Sequence, residues 1–202
     1  MRPIRSPHLI FACGLGWHLS LLFTCHFAND SFLCAPVLQT YVFSAGLLVL
    51  VLVFLGLSPQ QVHKYLSVRP TTEFFKFTIH ASLIGCGVYL PFFILSDSSS
   101  RKVGIPGLGL CSILFFSIAE EIFVSGLLFP TSRQRFGLIA SLLFVCMFTV
   151  VLHLAVITST LSGLAIIAST VIFALYREVS ANTWPSVVAH ASYNAASYVL
   201  AH

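Results

Sequence analysis

The stretch that decides the reading is Ser117-Ile-Ala-Glu120-Glu121-Ile-Phe-Val-Ser-Gly126-Leu-Leu-Phe-Pro130. It places two adjacent carboxylates inside an apolar run that begins near Gly104, with no Lys or Arg between Lys102 and Arg133. A carboxylate at membrane depth costs a few kcal/mol or more, so such a group is neutralised, paired or functional. The chain has six acidic residues, Asp30, Glu73, Asp97, Glu120, Glu121 and Glu178, and only Glu120 and Glu121 lie well inside a hydrophobic segment.

Composition supports a membrane setting. The 202 residues are 57% hydrophobic and 8% charged, with a mean hydropathy of +0.96, whereas a soluble domain is about a quarter charged. The chain reads as one polytopic membrane domain over 1–202, and its partner in the first instance is the lipid bilayer. The net charge of +4 suits cationic loops beside anionic lipid. No basic patch with interleaved aromatics points to nucleic acid. The six Cys are scattered without a C-x-x-C pattern, which argues against a metal or redox framework.

A spanning helix needs about 20 mostly apolar residues. Working outward from the Glu pair, the candidate spans are 8–28, 36–57, 74–95, 104–130, 136–156, 158–176 and 183–201. The expected fold is therefore all-α: a transmembrane helix bundle of about seven spans, with a four-helix catalytic core in the C-terminal half over 104–200. Arg2 and Arg5 before the first run resemble a signal peptide, but the run continues without a clear cleavage site and reads as a retained span. Arg2, Arg5, Lys64, Arg69, Lys76, Arg133, Arg135 and Arg177 fall at the N-terminus and in the even loops, against Arg101 and Lys102 in the third. That bias puts the N-terminus and the even loops in the cytoplasm.

Three late spans carry polar groups. On a helix, residues four apart share a face, so His190-Ala-Ser-Tyr-Asn194 aligns His190 with Asn194 in the last span. The fifth span carries His153. Two Glu, two His and one Asn can perform water-activated acyl hydrolysis. A carboxylate out of bulk water takes a proton from a water molecule, a neutral His relays it, and His and Asn donors hold a developing oxyanion, each worth about 3–4 kcal/mol. Zn²⁺ is the alternative occupant, and Glu120, His153 and His190 would be its ligands. Spacings such as H-E-x-x-H are absent and Asn is a poor zinc ligand, so a site without cofactor is favoured. For His18, His26 and His80 the reading is an interhelical hydrogen bond. The His190–Asn194 pair has the same bland alternative, at about 0.6 kcal/mol per bond.

Glu120-Glu121, then His153, then His190-x-x-x-Asn194 resemble, in order and spacing, the CAAX-processing and bacteriocin-processing (CPBP, or ABI-domain) intramembrane proteases. That family's motifs are Glu-Glu-x-x-x-Arg, Phe-x-x-x-His, and His-x-x-x-Asn or Asp. Gly126-Leu-Leu-Phe-Pro130, Phe173-Ala-Leu-Tyr-Arg177 and Asn182-Thr-Trp-Pro-Ser-Val-Val-Ala-His190 are similar to its flanking sequence. The resemblance implies that Glu120 activates water, that His153 assists and that Glu121 orients the site. It implies that His190 and Asn194 stabilise the oxyanion, and that the substrate is a peptide or lipidated protein at the membrane. Two positions depart from it: Ser125 stands where the family has Arg, and Thr149 where it has Phe. A register starting at Phe144 would put Phe148, not a His, at the second-motif position. Ser125 supports a second reading, a catalytically impaired relative acting as a scaffold or regulator. A proton-coupled carrier is a third, and would call for inverted repeats that the chain lacks.

One expectation is awkward. With spans ending as above, Glu120 lies about 15 Å and His190 about 10 Å from the cytoplasmic helix ends, but His153 about 25 Å. A tilt, a kink or a displaced helix end must bring them level.

Overall fold

A computed structural model describes residues 6–27, 36–55, 72–95, 110–154, 157 and 159–201. Most of the long connections, including residues 56–71 and 96–109, lie outside these residues, as do Arg2, Arg5, Lys64, Arg69, Arg101 and Lys102. Among the described residues the chain is all-helical, with no strand. Its seven helical bodies are α1 (Pro7–Phe27), α2 (Pro36–Leu55), α3 (Thr72–Leu95), α4 (Leu110–Phe136), α5 (Leu138–Leu152), α6 (Thr160–Ser180) and α7 (Trp184–Ala201). Two of them, α4 and α6, are long and apolar enough to cross a membrane by length and composition.

Local chemistry sets the boundaries. Pro7 and Pro36 open α1 and α2, where the N–H that proline lacks has no intrahelical partner anyway. Ser159 caps α6 reciprocally: its hydroxyl accepts from the Ser162 N–H at 3.1 Å, and Ser162 Oγ accepts from the Ser159 N–H at 3.0 Å. That arrangement satisfies two donors left open at a helix start. Ala181, at φ 49°, ends α6, and Asn182 Oδ1 accepts the Trp184 N–H at 2.9 Å to start α7. Gly137, at φ 81°, breaks α4 from α5 in a single residue. A left-handed φ of that kind suits glycine and lets the chain reverse without a loop.

The fourth helix corrects the expected boundary at Pro130: it runs on to Phe136. Proline lacks an N–H and its ring crowds the carbonyl four residues back, which normally breaks a helix. Here the chain widens instead. Val124–Leu128 form a π turn, and the Phe129 N–H reaches the Val124 carbonyl five residues back. Helix α4 then resumes as an α segment, Phe129–Phe136, with Pro130 in its first turn. Downstream hydroxyls take up neighbouring carbonyls: Thr131 Oγ1 donates to Leu127 O and Ser132 Oγ donates to Phe129 O at 2.9 Å. Such π turns gather at functional sites, and this one begins three residues after Glu121.

The extension removes the depth problem between the fourth and fifth helices. Measured from the Gly137 turn, Glu120 stands about 24 Å along α4 and His153 about 22 Å along α5. The fifth helix is also shorter than the expected 136–156. It ends at Leu152, where His153 (φ −100°, ψ 7°) leaves helical geometry.

Packing reaches beyond the last four helices. Helix α3 pairs extensively with α7, and α2 with α4. A Cβ on Gly85 of α3 would fall onto the Ala189 carbonyl oxygen of α7, the close backbone approach that small residues permit in apolar bundles. The main core joins Phe123, Leu127, Leu128 and Phe129 of α4 to Val145, Phe148 and Leu152 of α5, and takes Ile10 from α1 and Phe43, Leu47 and Val51 from α2. Phe123 stacks on Phe148 at 5.3 Å. Trp17 lies against Gly46 and donates its indole N–H to Phe43 O at 3.1 Å, pinning α1 to α2. Outward faces are apolar too: Ile139, Leu143 and Met147, one turn apart on α5, are all more than half exposed. Such a stripe is costly in water and costs little against lipid.

Candidate active site

The site forms where α4, α5 and α7 meet. Glu120 and Glu121 are 1% and 4% exposed. As neighbours on a helix they project about 100° apart, and so meet different partners. Glu120 Oε2 lies 3.8 Å from His153 Nε2 and 4.0 Å from His190 Nε2. Neither distance is a hydrogen bond, and this buried oxygen has no hydrogen-bond partner. Glu121 is held at both oxygens. Its Oε1 is 3.2 Å from His190 Nδ1, and its Oε2 accepts the Ser125 hydroxyl.

Each imidazole is oriented through its other nitrogen. His153 Nδ1 is 2.9 Å from the Thr149 carbonyl. A carbonyl only accepts, so Nδ1 carries the proton and Nε2 turns toward Glu120. His190 is engaged at Nδ1 by the Glu121 carboxylate, which likewise leaves Nε2 toward Glu120. Aromatic rings close the sides: Phe116 stands edge-on to His153 at 6.0 Å, and Phe173 stacks on His190 at 5.5 Å. Ser186 Oγ donates to Phe173 O at 2.8 Å and ties α6 to α7 beneath that stack.

Asn194 lies one turn from His190. Its amide donates to Ser117 Oγ at 2.8 Å, and Ser117 donates on to Ile113 O at 2.9 Å. The two contacts share a register: His190 meets Glu121, and Asn194 meets Ser117, four residues back on α4. That is the pattern of two antiparallel helices matched face to face. The structure therefore brings Glu120, Glu121, His153 and His190 into one cluster, with Asn194 at its edge. Between the two possible registers for the second motif, His153 is the residue beside Glu120, while Phe148 is fully buried in the core. Among the described residues, no group of three or more His, Cys, Asp or Glu side chains is disposed to hold a metal ion.

Three participants carried no sequence signal. Ser125 reads only as a missing Arg, yet it supplies one of the two anchors of Glu121. Thr149 contributes its backbone carbonyl, which no side-chain motif reports. His18, on α1, interacts electrostatically with both His153 and Glu120 and packs edge-on to Phe43 at 5.3 Å. Nothing in its sequence neighbourhood distinguishes it from a helix-packing histidine.

The described residues thus form an apolar helical bundle that buries two acids beside two imidazoles. Comparison with known families finds a likeness: the family model described as type II CAAX prenyl endopeptidase Rce1-like matches residues 102–196. That segment is similar to the Rce1-like family, a family of proteases, in agreement with the motif resemblance. No curated protein and no solved structure matches the chain.

Proposed function

We propose that this chain is an intramembrane endopeptidase of the CAAX-processing type. In this reading it hydrolyses a peptide bond in a membrane-associated peptide or lipidated protein through a water activated by Glu120. The observation that carries the proposal is Glu120 Oε2: buried, without a hydrogen-bond partner, and faced by two imidazole Nε2 atoms at 3.8 and 4.0 Å. One water can bridge such a trio at ordinary hydrogen-bond lengths, off the lines joining them. Glu120 takes a proton from that water, and the oxygen adds to the scissile carbonyl. The proton passes to the leaving amine as the tetrahedral adduct collapses, with His153 assisting the transfer. His190 and the second N–H of Asn194 donate to the oxyanion. Glu121 orients His190 through Nδ1, and His190 donates to the oxyanion from Nε2 in its doubly protonated form.

The proposed mechanism needs no metal. The bundle is proposed to be a single multi-pass membrane domain over 1–202 with its active core at 104–200, and the N-terminus and even loops facing the cytoplasm. Apart from Ser125 in the family's Arg position, nothing favours the scaffold reading, and nothing favours the carrier. The test is turnover by the purified protein in lipid nanodiscs of a farnesylated peptide bearing a C-terminal tripeptide. Release of the intact tripeptide, seen by mass spectrometry, is expected. A wild-type protein that is folded but leaves that peptide and an unprenylated control uncut would overturn the assignment.

A further inference from the structure

We infer that Ser125 is a positioning residue for this site, acting through Glu121 to aim His190. The inference rests on the endopeptidase reading above. Ser44, Ser117 and Thr170 each donate their hydroxyl to the backbone carbonyl four residues back, at 2.7, 2.9 and 2.7 Å. That is the ordinary habit of a helical hydroxyl. Ser125, 1% exposed, instead donates to the Glu121 side chain four residues back. It is the second residue of the π turn at Val124–Leu128, at the point where the helix departs from α geometry.

The consequence runs through three groups. Glu121 has two anchors, the Ser125 hydroxyl at Oε2 and His190 Nδ1 at Oε1. With both in place the carboxylate plane is fixed, and with it the plane of the imidazole. His190 Nε2 is thereby held 4.0 Å from Glu120 Oε2. With the hydroxyl removed, Oε2 is a buried acceptor without a donor, and the carboxylate turns to recover one. His190 then loses its aim. Ser125 touches neither Glu120 nor the reacting atoms, so its effect falls on the chemical step and not on substrate capture.

The experiment compares wild type, Ser125→Ala and Ser125→Thr in nanodiscs, reading kcat and KM separately and recording the ring-¹⁵N signals of His190, assigned by their loss in His190→Gln. Ser125→Ala is expected to lower kcat on the order of 10-fold, the worth of one hydrogen bond to a charged group, with KM little changed. It should also shift the His190 Nδ1 signal. Ser125→Thr, which keeps the hydroxyl, restores most of both. If the extra methyl unfolds the chain, Ser125→Cys takes its place and must fall between wild type and Ala. An alanine variant with wild-type kcat and an unmoved His190 signal overturns the inference. So does an equal loss in the Ala and hydroxyl-bearing variants that tracks a lowered melting temperature. If wild type itself cuts nothing, the endopeptidase reading fails, and the His190 signal alone still decides whether Ser125 holds the clamp.

Discussion

His190 and Glu121 meet at 3.2 Å, Nδ1 to Oε1, across the antiparallel pairing of α7 and α4. The contact gives the two adjacent acids different work: Glu121 has both oxygens engaged, while Glu120 keeps one oxygen unengaged. Replacing Glu121 by Gln keeps the shape and removes the charge that holds the imidazole. The expected loss in kcat is roughly 10–100-fold, the range typical of residues that orient a reacting group. Steady-state kinetics of Glu121→Gln beside Glu120→Gln checks the ranking, and an equal loss in both would contradict the division of roles.

His153 and His18 should separate in the same assay. His153 Nε2 is 3.8 Å from Glu120 Oε2, and His153→Ala should lower kcat by roughly 100-fold or more, as loss of a proton-transfer group does. His18 interacts with the same pair from α1, outside the family-matched segment. His18→Phe should give a smaller but measurable loss with an unchanged melting temperature. A wild-type rate in His18→Phe would remove it from the site.

Asn194 has one amide hydrogen committed to Ser117 and a second available. Asn194→Ala should lower kcat by about 100-fold or more if the second hydrogen serves an oxyanion. Ser117→Ala, which removes the anchoring bond together with the hydroxyl's own bond to Ile113 O, should cost about 0.6 kcal/mol of stability for the interhelical bond and leave kcat closer to wild type. A matching loss in the two variants would assign Asn194 to helix pairing alone.

Two packing variants test the bundle itself. A Cβ on Gly85 would meet the Ala189 carbonyl, so Gly85→Val should separate α3 from α7 and cost about 1–3 kcal/mol. Ser125→Arg, which restores the residue that the resemblance expects, should also destabilise. Ser125 is 1% exposed and the longer side chain has no space without moving its neighbours. Thermal unfolding in detergent or nanodiscs measures both, and a rise in stability or rate for Ser125→Arg would contradict the packing described here.

Much of the helical plan was legible because a helix in an apolar medium satisfies its own backbone bonds, so each shows as a long unbroken run. The run expected at 36–57 is the helix Pro36–Leu55, and the last, expected at 183–201, is Trp184–Ala201. The end of the fourth helix was not legible. Pro130 signals a stop, and only the π turn, a backbone adjustment with no residue code, carries the helix past it. Within the cluster, Glu120, Glu121, His153 and His190 were readable because ionisable groups in apolar runs are conspicuous. Ser125 and His18 were not: a hydroxyl and a lone imidazole have common structural uses, and only their neighbours mark them out.

The central claim is that the unpartnered oxygen of Glu120 activates the hydrolytic water. Single-turnover cleavage of the farnesylated peptide by Glu120→Gln, at matched folding and lipid composition, tests it most directly. Because the amide cannot take the proton, the account predicts a rate at least roughly 100-fold below wild type, with peptide binding retained. Cleavage at the wild-type rate would contradict it.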